Sequence, residues 1–164
     1  MTTENITFKK ITPSDWEKFR EIRLKALQTD PQAFGGVFEI ESKLDEASWK
    51  NKFSVANRHY YAAEVDGIFV STAGVKDTGN NNWMLIAVYT APEFRGRNIS
   101  QDLTEVVMKD AKILGAKTIS LMVNIDQKIA LIMYKKNGFK IIRIEKDQKL
   151  GDGKLHDEYY MEKN

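Results

Sequence analysis

Apolar positions along the 164-residue chain change their period several times, and each change marks an element. Residues 6–11 alternate as a short strand. Thr12 and Ser14 then flank Pro13, a hydroxyl cap beside a residue whose fixed φ and missing N–H suit a first helical turn. Trp16, Phe19, Ile22, Arg23, Ala26 and Leu27 recur at helical spacing, and Asp30-Pro31 stops that helix. Residues 32–42, with Gly35-Gly36, read as a loop. A shorter helix is predicted over 45–54, with Ala47, Trp49 and Phe53 on its inner side.

From residue 60 the period shortens. Residues 60–65 and 68–75 are β-rich runs joined by Asp66-Gly67, a hairpin signal, and 83–90 is a third after the polar turn 78–82. Pro92 ends that run and the helical period returns over 99–114, where Ile99, Leu103, Val106, Val107 and Leu114 form one stripe closed by Gly115. A strand at 118–123, a helix at 127–136 stopped by Asn137-Gly138, and strands at 139–144 and 155–161 about Gly151-Asp152-Gly153 complete the chain. The order β-α-α-β-β-β-α-β-α-β-β predicts an α/β layer with antiparallel hairpins at both ends. No repeat or linker interrupts it, so residues 1–164 are expected to form one domain.

Charge adds little: 25 Lys and Arg against 23 Asp and Glu leave +2, which is no argument for nucleic acid or an acidic membrane surface. The lack of cysteine removes disulfides, thiolate metal sites and a Cys nucleophile. His59 and His156 are the only histidines and have no clustered carboxylates at ligand spacing, so no metal site is predicted. No apolar run approaches the roughly 20 residues that span a bilayer. Met1-Thr2-Thr3-Glu4-Asn5 lacks the regions of a signal peptide, and a cytoplasmic protein is expected.

The chemistry concentrates in Val88-Tyr89-Thr90-Ala91-Pro92-Glu93-Phe94-Arg95-Gly96-Arg97-Asn98-Ile99-Ser100. A strand ends, a basic turn containing a glycine follows, and a helix begins. Unpaired N–H groups and the positive end of the dipole make such a helix start an anion site, and Gly96 lets a phosphate approach the main chain. The Walker pattern is absent, because Gly115-Ala116-Lys117-Thr118 lacks its spacing, and Gly96 alone does not make a dinucleotide fingerprint.

This run resembles the acyl-CoA pyrophosphate loop of the GNAT N-acetyltransferases, V-x-P-x-x-[RQ]-G-x-G-x-[GA]. A second segment, Gln127-Lys128-Ile129-Ala130-Leu131-Ile132-Met133-Tyr134-Lys135-Lys136-Asn137-Gly138-Phe139, is similar to the family's N-x-x-A-x-x-L-Y-x-x-x-G-F signature. Asn98 stands in place of the second glycine, Ser100 in place of Gly or Ala, and Gln127 in place of Asn. Asparagine tolerates a left-handed backbone better than most residues. The resemblance implies the GNAT fold, a mixed central sheet with two splayed parallel strands and flanking helices.

It also implies a mechanism. Acetyl-CoA as co-substrate would lie along Val88, Tyr89 and Thr90, with its diphosphate on Arg95, Gly96, Arg97, Asn98, Ile99 and Ser100, and Gln127 beside it. An amine would attack the thioester directly while a strand amide near Val88 or Tyr89 stabilises the oxyanion. Tyr134 would be the general acid for the departing thiolate. No base is legible: the position where some relatives carry Glu is Met122, and residues 83–88 hold no carboxylate. Glu39 and Glu41 in the 32–42 loop are candidates for binding the amine acceptor and would favour a cationic amine. The other classes left open are a non-catalytic acyl-CoA-binding module of the same fold and, more weakly, a nucleic-acid module. Homodimers are common in the family.

Overall fold

The computed structural model describes residues 4–164; the leaderless reading of Met1-Thr2-Thr3 lies outside the described residues. Strands β1 (Thr7–Lys10), β2 (Arg58–Val65), β3 (Ile68–Gly79), β4 (Asn82–Thr90), β5 (Thr118–Asn124), β6 (Lys140–Lys149) and β7 (Leu155–Lys163) form one sheet in the order β1-β2-β3-β4-β5-β7-β6. Helices α1 (Trp16–Thr29), α2 (Phe38–Glu41), α3 (Glu46–Asn51), α4 (Ile99–Ile113) and α5 (Lys128–Lys136) connect and cover the strands. None of the helices is long and apolar enough to cross a membrane.

Two faces of the sheet bury two cores. On one, Phe19, Ile22, Ala26 and Leu27 of α1 and Trp49 of α3 pack on Tyr60, Ala62, Phe69 and Tyr89. On the other, Leu103, Val107, Met108 and Ala111 of α4 pack with Tyr134 and Phe139 on Val75, Leu85, Leu121 and Met161. The α4 stripe is therefore shifted from the expected one. Leu114 is 42% exposed, and Thr104, Met108 and Ala111 are buried instead. The helix ends at Ile113, and Leu114 follows as its C-terminal cap.

The hairpins follow from their turns. Asp66 and Gly67 both have positive φ (51° and 78°), as do Asn80 and Asn81 (54° and 58°), the backbone that a tight two-residue turn of right-handed twist requires. Several boundaries differ from the sequence expectation, and α3 stops at Asn51 and not at residue 54. β3 runs on to Gly79 and β6 to Lys149, because pairing with a neighbour carries polar residues into the ladder. The 32–42 segment is not all loop: residues 38–41 form α2, a single turn too short to show a period.

The decisive irregularity lies in β4. Opposite β3, Gly74 pairs with Ile86 and Thr72 with Tyr89, so Ala87 and Val88 stand against Ala73 alone. Ala87 has φ +54°, and its carbonyl accepts a 2.9 Å hydrogen bond from Thr72 Oγ1. Successive residues Ile86 and Ala87 consequently pack toward the same core. On the other side, β4 runs parallel to β5 only through Asn82↔Thr118, Trp83↔Ile119 and Met84↔Ser120, and the strands then part. A left-handed L-residue is strained by about 1–2 kcal/mol and a β-branched one by more. Ala87→Val should therefore lower unfolding free energy by about 2 kcal/mol in urea titration, while Ala87→Gly stays within about 1 kcal/mol of the parent.

Candidate active site

Beyond Thr90 the chain makes one 3-10 turn (Pro92–Phe94) and reaches α4 through a basic turn. Gly96 has φ +77°, and nothing lies within 4 Å of where its Cβ would be, so the backbone conformation, not space, calls for glycine. Asn98, immediately before α4, adopts φ +60°, ψ +11°, supplying the left-handed backbone that the missing second glycine would have given. Alternating left-handed residues turn neighbouring N–H groups toward one side, and the first turn of a helix adds N–H groups with no intrahelical partner. Ile99 is buried and anchors the helix start; residues 95–98 are exposed. The result is an open cradle of N–H donors at the positive end of a helix, suited to an oxyanion.

The two arginines brace this turn. Arg95 Nε donates to the Thr90 carbonyl (2.9 Å) and its guanidinium pairs with Asp30 (2.8 Å) above the Tyr89 ring. Arg97 pairs with Glu4 and donates to the Glu93 carbonyl (3.2 Å). Ser71 Oγ donates to the Tyr89 carbonyl and shares a 2.8 Å hydrogen bond with Thr90 Oγ1, which ties the end of β4 down.

Because β4 and β5 part after Met84, the stretch from Leu85 to Thr90 has no strand partner on that side, and its main-chain groups there are open to a ligand. Val88 lies on the α4–α5 side of this gap and Tyr89 on the opposite side, its hydroxyl 3.0 Å from Thr29 Oγ1. Tyr134 is 6% exposed, shares a core with Val88 and Val123, and meets Phe139 edge-on at 5.9 Å. Burial pushes its phenol pKa further above the ordinary value, so it stays protonated. Gln127 stands just before α5, with φ −81°, ψ +68°, outside the helical register that carries Tyr134.

On the other face of the sheet lies a cleft of about 610 Å³. Its floor alternates in step across the strands: Arg58 and Tyr60 of β2, Lys76 of β3, Met84 and Ile86 of β4, Met122 of β5, Glu158 of β7. Its walls come from α1, the Gly35-Gly36 loop, Lys52 after α3, and residues 148–150. Gly151 clamps the Gly35-Gly36 loop to the 148–150 wall: its N–H donates to the Phe34 carbonyl (2.7 Å), and a Cβ there would sit 2.3 Å from the Gly36 carbonyl. Asn124, fully buried, fixes the same corner by donating to the Gln32 carbonyl (3.0 Å) and accepting from the Asp126 N–H (2.9 Å).

Glu158 is 8% exposed and faces Asn124 across the β5–β7 pair. Burial raises its pKa, with His156 pulling the other way. It is the carboxylate among the cleft's lining residues, on the strand next to Met122. Sequence reading passed it over because only the non-sequential β5–β7 pairing brings it there.

Glu39 and Glu41 sit on α2, away from that floor. Glu41 forms a two-point pair with Arg23 (3.0 and 3.1 Å), close against Gly36, and exposed Glu39 borders a second cleft of about 480 Å³ beside Lys149 and Asp152.

A family model described as acetyltransferase (GNAT) family matches residues 16–139. The chain is 26% identical to an uncharacterised N-acetyltransferase of Methanocaldococcus jannaschii over 82% of its own length, and spans about 60% of that relative. Among solved structures it superimposes on a PaiA N-acetyltransferase of Thermoplasma acidophilum in complex with coenzyme A (TM-score 0.73, 24% identity, 98% of this chain and 99% of that one). It also superimposes on yncA of Salmonella typhimurium with its cofactor acetyl-CoA (0.80, 16%, 98% and 94%). A ribosomal-protein-alanine N-acetyltransferase of Brucella melitensis matches similarly (0.81, 18%, 96% and 98%). With the family model covering most of the chain, the protein belongs to the GNAT acetyltransferase family.

Proposed function

We propose that this protein is an N-acetyltransferase that moves the acetyl group of acetyl-CoA directly to a primary amine, with no covalent enzyme intermediate. The observation that carries this is the junction of three features at one point: the open β4 edge, the N–H cradle over residues 96–100, and a cleft on the opposite face that reaches the same gap. Solved relatives with acetyl-CoA and coenzyme A share this fold. The cradle fits a diphosphate, because its donors are main-chain N–H groups flanked by Arg95 and Arg97. The open edge of Val88, Tyr89 and Thr90 would pair with the pantetheine amides, with Gln127 beside them. One of those strand N–H groups holds the oxyanion.

The acceptor amine comes through the cleft and bonds to the thioester carbon as the carbon–sulfur bond breaks. Glu158 takes the proton the ammonium must lose, and Tyr134 gives its phenol proton to the leaving sulfur. A carboxylate with a raised pKa is a better base near neutral pH than an ordinary one.

Three outcomes test this. Tyr134→Phe should cut kcat by about 100-fold or more with acetyl-CoA affinity in calorimetry unchanged, because general acid catalysis is worth that much. Unchanged kcat would remove Tyr134 from the chemistry. Asn98→Gly, which keeps the left-handed turn, should leave acetyl-CoA affinity within about threefold, whereas Asn98→Val should weaken it by about tenfold or more. Equal affinity in the two variants would mean the turn is not the diphosphate site.

The third concerns Glu158. Its raised folded pKa means the ionised form burdens the folded state above that pKa, and the burden lifts as pH falls below it. Glu158→Gln should therefore raise Tm at pH 8 but not at pH 4. The parent's kcat/KM should fall as pH drops through a carboxylate pKa above the usual range, and the variant should lose that limb along with most of its activity. A Tm gain with an unaltered pH–rate profile would make Glu158 structural only.

A further inference from the structure

We infer that the amine acceptor is a small molecule that also carries an anionic group, a carboxylate or a phosphate-type oxyanion, held by Arg58, Lys76 and Lys52. The inference rests on the acetyl-transfer reading above and names the class of its second substrate.

The cleft is cationic far beyond the composition of the chain. The whole sequence is nearly balanced, yet Arg23, Lys52, Arg58, Lys76 and Lys149 line this cleft against the one carboxylate of Glu158. Arg23 is neutralised by Glu41. Among the described residues, Lys52, Arg58 and Lys76 form no ion pair.

Two features show that these cations await a partner. The Nε of Arg58 is buried without any hydrogen-bond acceptor, a costly arrangement for a charged donor unless a ligand supplies one. Arg58 and Lys76 are also direct register partners on adjacent antiparallel strands, where like charges repel. Both point to the floor of the cleft, and an oxyanion between them would remove the repulsion and satisfy the donor together. Lys52 closes the group from the wall: its ammonium, stacked 5.3 Å over Trp49, is pushed to a lower pKa by burial and by nearby Arg23 and Arg58, with Glu41 opposing.

The placement also orients the acceptor. β3 and β2 lie one and two strand spacings, about 5 and 10 Å, to the side of β4, and the Arg58–Lys76 pair stands level with Met84, four residues or about 13 Å along the strand from Val88. Long Lys and Arg side chains reach back over part of that distance. The anion therefore stands several bonds from the amine, as in a longer-chain amino acid or aminoalkylphosphonate, with Glu158 at the amine end. A polyamine or other multiply cationic acceptor would meet repulsion at the same place. This reverses the cationic preference expected from Glu39 and Glu41, which lie off the floor.

The test is calorimetric titration of the protein saturated with coenzyme A, using matched pairs: α- and ω-amino acids of increasing chain length against their amides, aminoalkylphosphonates of the same lengths against the corresponding alkylamines, and spermidine alone. At least one anion-bearing amine should bind about tenfold or more tightly than its neutral partner, since charge-assisted pairing is lost in the partner. Whether the carboxylate or the phosphonate pair shows the larger gap identifies the source of the anion. Arg58→Gln and Lys76→Met should each shrink that gap by about fivefold or more without changing affinity for acetyl-CoA, and Arg58→Lys should restore part of it. Lys76→Met, at a half-exposed position, should also leave the melting temperature equal or higher, because it removes a like-charge pair. Equal or undetectable binding of both members of every pair, tighter binding of spermidine, or a gap that survives both substitutions overturns the inference while the transferase reading stands. Failure to bind coenzyme A is a different result, which sinks the transferase reading and this inference with it.

Discussion

The structure depends on one backbone choice: Ala87 in the left-handed region, with its carbonyl held by Thr72. An extra residue in one strand of an antiparallel pair bends that strand and raises its twist. Here the bend carries β4 away from its parallel neighbour β5 after only three paired positions. Everything used for binding follows from that divergence. The freed edge of β4 offers main-chain groups, the strand end delivers the chain to the N–H cradle before α4, and the gap joins the two faces of the sheet. The strain at Ala87 is offset by the packing of Ile86 and Ala87 into the α1 core and by the hydrogen bond from Thr72.

Local features of this arrangement were legible in the sequence, and those that rest on pairing between distant strands were not. A strand, a proline, a glycine-containing basic turn and a helix start are contiguous, so the cradle could be read from residues 88–100. The left-handed Asn98 could be anticipated because few non-glycine side chains tolerate that backbone. Glu158 and Asn124 could not, since their juxtaposition requires β7 to insert between β5 and β6. Arg58 and Lys76 lie just outside the strands read at 60–65 and 68–75, and only the register sets them opposite one another. α2 escaped because four residues cannot display a 3.6-residue period. Ala87 escaped because alanine carries no signal for positive φ.

The two faces of the gap differ in how they meet charge. On the cradle side the donors are main-chain N–H groups, and Arg95 and Arg97 are already engaged by Asp30 and Glu4. Such a site offers a preorganised dipole with its side-chain charge offset. On the cleft side the donors are side chains whose charges are not offset, over a floor of Met84, Ile86 and Met122 that contributes no polar group. Exposed cations in water interact weakly, but the same cations on an apolar floor, partly shielded from solvent, interact several-fold more strongly with an anion.

In the proposed function that contrast puts specificity in the cleft. A cradle for a group common to every acyl-CoA can be built from backbone alone and needs only the φ values that Gly96 and Asn98 supply. The cleft must separate one amine from many, and unpaired charge does this better than shape does. A methylene misfit in an apolar pocket is worth about 1–3 kcal/mol, whereas a buried charged donor left without its partner disfavours the wrong ligand more strongly. The cost falls on the free protein, which carries the Arg58–Lys76 repulsion and the buried Glu158 carboxylate until an acceptor arrives. Stability given up at both ends of one cleft, across a stretch of floor made by Met84, Ile86 and Met122, is what a binding site shows and a solvated charged surface does not.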